Sequence, residues 1–230
     1  MGSAVLVAVA GALFTAVHIA SSNLARPAIV ARAGEPAFLG LHSLVAASLV
    51  GFLSYAYYVA EPGEPLWEVG DGLWAVASVV TAFASVLLIG SLVKNPAAIP
   101  PAELPDAPPP ALGVYTITRH PMMWAIALWA ASHILTYPSW PQVYLSVSIA
   151  TLALVGSAFQ DAKKRRSLPV FWPEWQARTS FWPFQALATG RARWGGWRPI
   201  PLLVAAAFWL GASWVHIPLG NWPAGIWRWM

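Results

Sequence analysis

A chain of 230 residues that is 58% hydrophobic and 10% charged, with a mean hydropathy of +0.58, lacks the polar side chains for a water-facing surface, so a soluble fold is excluded. The net charge of +4 could suit nucleic acid, but the basic residues sit beside apolar runs, which points to membrane lipid headgroups and to no nucleic-acid partner. The absence of cysteine removes disulfides, thiolate metal ligands and a cysteine nucleophile.

Residues 4 to about 25 form the first apolar segment, which has no basic leader and reads as a span. Ala12, Ala16 and Ala20 recur along it, a small-residue stripe that predicts close helix approach, and His18 lies inside it. A polar connection with Arg26, Pro27, Arg32 and Glu35 leads to a second span, 37–60, which contains His42. An acidic loop (Glu61, Glu64, Glu68, Asp71) precedes a third span at 72–93. The loop over 94–118, with seven prolines between Pro96 and Pro110, predicts an extended polyproline-like linker.

A fourth span, 121–137, stops at Pro138, and a fifth, 142–159, is closed by Asp161 and the run Lys163 to Arg166. Residues 168–198 are amphipathic and rich in tryptophan (Trp172, Trp175, Trp182, Trp194, Trp197), which predicts an interfacial segment lying in the headgroup layer. A sixth span covers 200–217, and Trp222, Trp227 and Trp229 read as an aromatic anchor at the opposite interface. Of the thirteen Lys and Arg, all but Arg228 fall on alternate connections, which predicts an inner-membrane protein with both termini outside. The expected fold is all-α: a single domain, 1–230, built as a polytopic membrane helix bundle of about six transmembrane helices.

Inside such a bundle the ionisable residues are the chemistry candidates. The stretch Gly113 to His133 concentrates them, placing Arg119 and His120 before Pro121 and His133 near the far end of the same span. At about 1.5 Å per residue, His18 and His42 share a level on adjacent antiparallel helices, and His133 lies deeper. Depth allows either His18 with His133 or His42 with His133 as two imidazoles on one heme iron. Imidazole ligands without carboxylate or thiolate favour heme or copper over calcium or magnesium. A lone intramembrane histidine is equally at home as an interhelical hydrogen bonder, and His216, two residues before Pro218, reads as an interfacial residue of that kind. Arg119 and His120, at a helix N-terminus, are placed either to anchor a headgroup or to hold a propionate, phosphate or carboxylate.

Several blocks are similar to the NnrU family across nearly the whole chain: His18, Asn23, Arg26 and Pro27; Gly34, Glu35, Phe38 and Leu39; Thr118 to Trp124; Leu128 to His133; and Thr179, Ser180, Pro183, Phe184, Gly190 and Arg191. That family is associated with nitrogen-oxide metabolism and includes the plant 15-cis-zeta-carotene isomerase, a membrane enzyme with heme b. The resemblance implies heme b ligated by the residues matching His18 and His133, with His120 close to the site. The expected site adds Asn23, Arg26 and His42 around the cofactor and His120 with Arg119 as catalytic residues. It implies redox-dependent cis–trans isomerisation of an apolar, carotenoid-like polyene, held between spans one, two and four. The plant enzyme has a cysteine where this chain has Ala130. A heme-based redox or nitrogen-oxide-linked protein without isomerase activity is the first alternative. The second is an S-adenosylmethionine-dependent membrane methyltransferase, a class whose motif Gly113, Tyr115, Arg119, His120 and Pro121 approximate.

Overall fold

The computed structural model describes residues 2–97 and 104–230, so the middle of the proline run, 98–103, lies outside the described residues. Every regular element is helical. The long ones are α1 (Gly2–Ala20), α2 (Arg26–Tyr58), α3 (Asp71–Ser91), α5 (Pro121–Thr136), α6 (Trp140–Ser167) and α9 (Pro199–Gly220). Three short helices, α4 (Val114–Ile117), α7 (Phe171–Arg178) and α8 (Gln185–Ala188), lie in the connections, and a 3₁₀ turn at Gly225–Trp229 ends the chain.

Local signals account for most boundaries. Pro121 and Pro199 open α5 and α9 at positions where the missing N–H has no helical partner to lose. Ser139 caps α6 by accepting from the Gln142 N–H, and Lys164, Arg165 and Arg166 offset the partial negative charge at its other end. Asn221 closes α9 in the left-handed conformation. The expected first connection, 26–36, is itself helical: a π turn at Ser21–Ala25 joins α1 directly to α2. The reversal comes at Gly34 (φ 82°, ψ 166°), a conformation open only to glycine, followed at once by Pro36. The apolar run Gly2–Tyr58 is therefore a hairpin, and the Glu61 N–H donates to Ser3 Oγ at its open end.

Five helical runs carry the membrane character: Gly2–Tyr58, Asp71–Ser91, Trp140–Ser167 and Pro199–Gly220 are long and apolar enough to cross, and Pro121–Thr136 is a shorter apolar helix. With the first run folded as a hairpin, they make the six-helix membrane bundle expected. Neighbours pack in the order α2, α1, α6, α5, α3, α9. Where lipid replaces water, such contacts depend on close approach of small residues. The stripe that does this on α1 is Val7, Ala10, Gly11 and Phe14, while Ala12, Ala16 and Ala20 stay outside the core. At Gly11 an added Cβ would collide with Ser148 Oγ of α6.

The Trp-rich segment expected at the interface packs two of its tryptophans inward against the end of the bundle. Trp172 and Trp175 are fully buried, packed with Leu87, Tyr115, Ile117 and Phe171. The segment folds back as a cap on one end of the bundle, where the hydrophobic effect does act and each tryptophan contributes about 3–5 kcal/mol relative to alanine. Flanking parts of the proline loop are pinned to it: Ala97 and Leu104 join its core, and Pro108 O accepts from Arg178 Nη1 at 2.7 Å.

Candidate functional site

At the capped end the sequence brings four donors to one carboxylate. Thr118 leaves the α4 helix in an extended conformation and His120 takes φ −118°, ψ 55°, so that α5 can start at Pro121. This turn aims Arg119 and His120 at Asp161 of α6. Arg119 donates from Nε (2.8 Å) and Nη2 to Oδ2, while His120 Nε2 (2.9 Å) and Trp172 Nε1 (3.2 Å) donate to Oδ1. The Arg119 N–H also donates to Ser180 O at 2.9 Å, and Thr118 Oγ1 to Phe181 O at 2.8 Å. All three ionisable side chains are buried, and a buried charge set is tolerated only when mutually satisfied, as it is here.

That arrangement commits Arg119 and the His120 Nε2 to Asp161. The Arg119 fork is closed on Asp161, and the His120 Nε2 that would move a proton is held by the same carboxylate, so the pair fastens α5, α6 and α7 together. Asp161, the partner, was read in the sequence only as the polar end of a span. Arg26 likewise is committed, to both oxygens of Glu35 at 2.7 Å, and Asn23 Nδ2 donates to Ile19 O at 2.8 Å within its own turn. Tyr115 donates to Ser91 O and Val93 O, closing the end of α3, and burial pushes its phenol well above the ordinary value.

The remaining histidines form two pairs, and neither is His18 with His133. His18 meets His42, ring centres 4.6 Å apart and edge-on, with Phe14 and Phe38 against their outer sides. The His42 Nδ1 shares a hydrogen bond with Ser21 Oγ at 2.9 Å, and His18 Nδ1 is buried without a partner. His133 instead meets His216, ring centres 6.2 Å apart. The order of the helices explains the split. His18 and His42 lie on α1 and α2 at one edge of the bundle, whereas His133 and His216 lie beyond α6, on α5 and α9. His18 is also near the capped end of α1, while His133 is in the last turn of α5 at the opposite end.

His133 and His216 line a cavity of about 550 Å³ between α3, α5, α9 and the C-terminal turn. Its other walls include Trp74, Trp129, Trp209 and Trp222. The hydroxyls around it turn back onto their own helices: Ser78 donates to Trp74 O, Ser85 to Thr81 O, Ser132 to Trp129 O and Ser213 to Trp209 O. Back-bonding of this kind leaves a mainly apolar lining whose polar groups are the imidazoles with Tyr57, Thr81, Tyr137 and Gln142. Among the described residues no three of His, Cys, Asp or Glu gather to hold a metal ion. A bare ion would therefore find too few ligands here, while a metal that brings its own equatorial donors needs only axial imidazoles.

A smaller crevice of about 150 Å³ lies at the capped end, lined by Lys94, Tyr115, Trp175, Trp197 and Arg198, with no carboxylate among the described residues. Glu174, the acidic residue a methyltransferase reading would require, is outside it and paired with Arg178 at 3.6 Å.

No curated protein and no solved structure matches the chain. A protein-family model described as NnrU protein matches residues 5–223, nearly the whole length, in agreement with the motif blocks and the membrane bundle they occupy. The chain belongs to the NnrU family.

Proposed function

We propose that this protein is a membrane protein with heme b, that the cavity between α3, α5 and α9 would hold the cofactor, and that His133 would ligate it. The observation that carries this reading is the state of His133. Its Nδ1 lies 2.8 Å from Trp129 O, and a carbonyl can only accept, so the proton is on Nδ1 and the Nε2 lone pair is free. A ligand histidine is oriented in this manner by a backbone carbonyl behind it. Bound there, heme would supply a one-electron couple at iron inside an apolar wall. The chain's own part is to fix the imidazole tautomer, to exclude water with Trp74, Trp129 and Trp209, and to offer no competing donor from the back-bonded hydroxyls.

The activity that fits an apolar cavity in a family of this resemblance is redox-dependent cis–trans isomerisation of a carotenoid-like polyene arriving from lipid. The cavity that would take such a substrate lies between spans three, four and six, a different place from the expected one between spans one, two and four. Ala130 favours a second reading, a heme redox relay linked to nitrogen oxides, because no thiolate is present to replace an imidazole. The methyltransferase reading receives no support from a crevice whose charged lining, among the described residues, is Lys94 and Arg198. A reduced-minus-oxidised spectrum of the detergent-purified protein tests the proposal. A six-coordinate low-spin b-type signal supports it, and its absence after reconstitution with heme refutes it. Conversion of a cis-polyene by the reduced protein then separates isomerase from relay.

A further inference from the structure

We infer that the crevice between the end of α3, α4 and the start of α9 is a binding site for the phosphate of an anionic membrane phospholipid, held by Lys94 and Arg198; it is separate from the cavity of the heme reading and does not depend on it. Three buried side-chain nitrogens among the described residues have no hydrogen-bond partner, and two of them, Trp175 Nε1 and Trp197 Nε1, belong to walls of this crevice. An indole N–H can only donate, and a buried donor without an acceptor is a cost that native structures keep where a ligand, ion or water supplies one. The cations beside them pair with no carboxylate among the described residues. The remaining polar side chain, Tyr115, is already committed to Ser91 O and Val93 O. Two cations and two unpaired donors, with no acidic side chain among the described lining, make a place for an anion.

The frame around these groups is fixed by close backbone approach. Gly113, at φ 57°, donates its N–H to Gly195 O at 2.8 Å, and Gly196, at φ 72°, lies so near Leu112 that an added Cβ would be 2.6 Å from the Leu112 Cβ. These contacts clamp the residues before α4 to the turn before α9, so the two sides of the crevice keep their separation. Position and shape then decide the source of the anion. Lys94 follows the last residue of α3 by three, and Arg198 is the N-cap of α9, so both cations stand where two spans leave the bilayer, at the level of lipid phosphates. From there the walls continue onto the spans themselves as Val86, Gly90 and Leu202. A charged end over an apolar one fits an amphiphile better than a free phosphate. At about 150 Å³ the crevice takes a headgroup and leaves the acyl chains in the bilayer.

The test uses the full-length protein in detergent, titrated with phosphatidylglycerol, phosphatidylcholine or glycerol 3-phosphate and read by native mass spectrometry. One phosphatidylglycerol should be retained in preference to phosphatidylcholine. Lys94→Gln and Arg198→Gln should each weaken it about fivefold, the usual worth of one cation beside an anionic headgroup. Trp197→Phe, which keeps a ring and removes the donor, should weaken it by less. Arg165→Gln with Arg166→Gln removes two cations from the end of α6 and should leave that lipid in place. An equal loss in this last variant reduces the attraction to the general field of the basic face and overturns the site, as does equal binding of phosphatidylcholine. Glycerol 3-phosphate binding as tightly as the lipid overturns the membrane source, and displacement of the lipid by S-adenosylmethionine gives the crevice to the methyltransferase reading. Phosphatidylglycerol should raise the unfolding temperature of wild type more than that of the Lys94→Gln, Arg198→Gln double variant. Without lipid the two should unfold alike, which separates a lost ligand from a misfolded chain.

Discussion

His120 Nε2 lies 2.9 Å from Asp161 Oδ1, and this bond fastens the residue that caps α5 to the basic end of α6. The carboxylate also takes both bonds from Arg119 and one from Trp172. Removing it strands a guanidinium in a dry site. Asp161→Ala is expected to lose about 3–5 kcal/mol, the range for a buried pair with one partner deleted. Asp161→Asn, which keeps one acceptor, should fall between that and wild type. Thermal unfolding in detergent gives the order, and wild-type stability in Asp161→Ala would show that the cluster does not hold the cap.

The contact of Gly11 with Ser148 predicts a steric, reversible defect. Gly11→Ala drives a methyl into Ser148 Oγ and to 2.9 Å from its Cβ, so α1 and α6 must separate at a loss of about 1–3 kcal/mol. Adding Ser148→Gly should recover most of it. A double-mutant cycle with no coupling would place the two helices further apart than described.

Gly34 sets the hairpin. Gly34→Ala forces a side chain into a glycine-only conformation and should destabilise by about 1–3 kcal/mol. Because the chain has no cysteine, Ser3→Cys with Glu61→Cys reports the closure directly, and its cross-linking yield should fall when Gly34→Ala is added. An unchanged yield would mean that the π turn alone reverses the chain.

Ala130 is completely buried and does not line the cavity, although His133 three residues on does. Ala130→Cys should therefore leave the heme spectrum of the oxidised and reduced protein unchanged. Appearance of a thiolate-type spectrum would put the cofactor on the other face of α5.

Much of the architecture was legible because bilayer physics is written in composition. Apolar runs long enough to cross, the absence of other polar backbone solutions in lipid, and Pro, Ser and Asn at helix ends fix six helices and most of their limits. The motif blocks were sufficient to name the family. The shared level of His18 and His42 also followed from counting residues, since two adjacent antiparallel helices leave little freedom.

What residue counting could not reach was lateral order. Depth is a property of one helix, but contact depends on which helices are neighbours, and only the packed order α2, α1, α6, α5, α3, α9 separates His18 from His133 and brings His216 to it. His216 stands two residues before Pro218, and α9 continues through that proline to Gly220, so that the exposed ring forms part of one wall of the cavity. Asp161 was hidden for the same reason. A carboxylate at the end of an apolar span looks solvated until tertiary packing folds Arg119, His120 and Trp172 over it, because satisfaction of a buried charge is decided by neighbours in space.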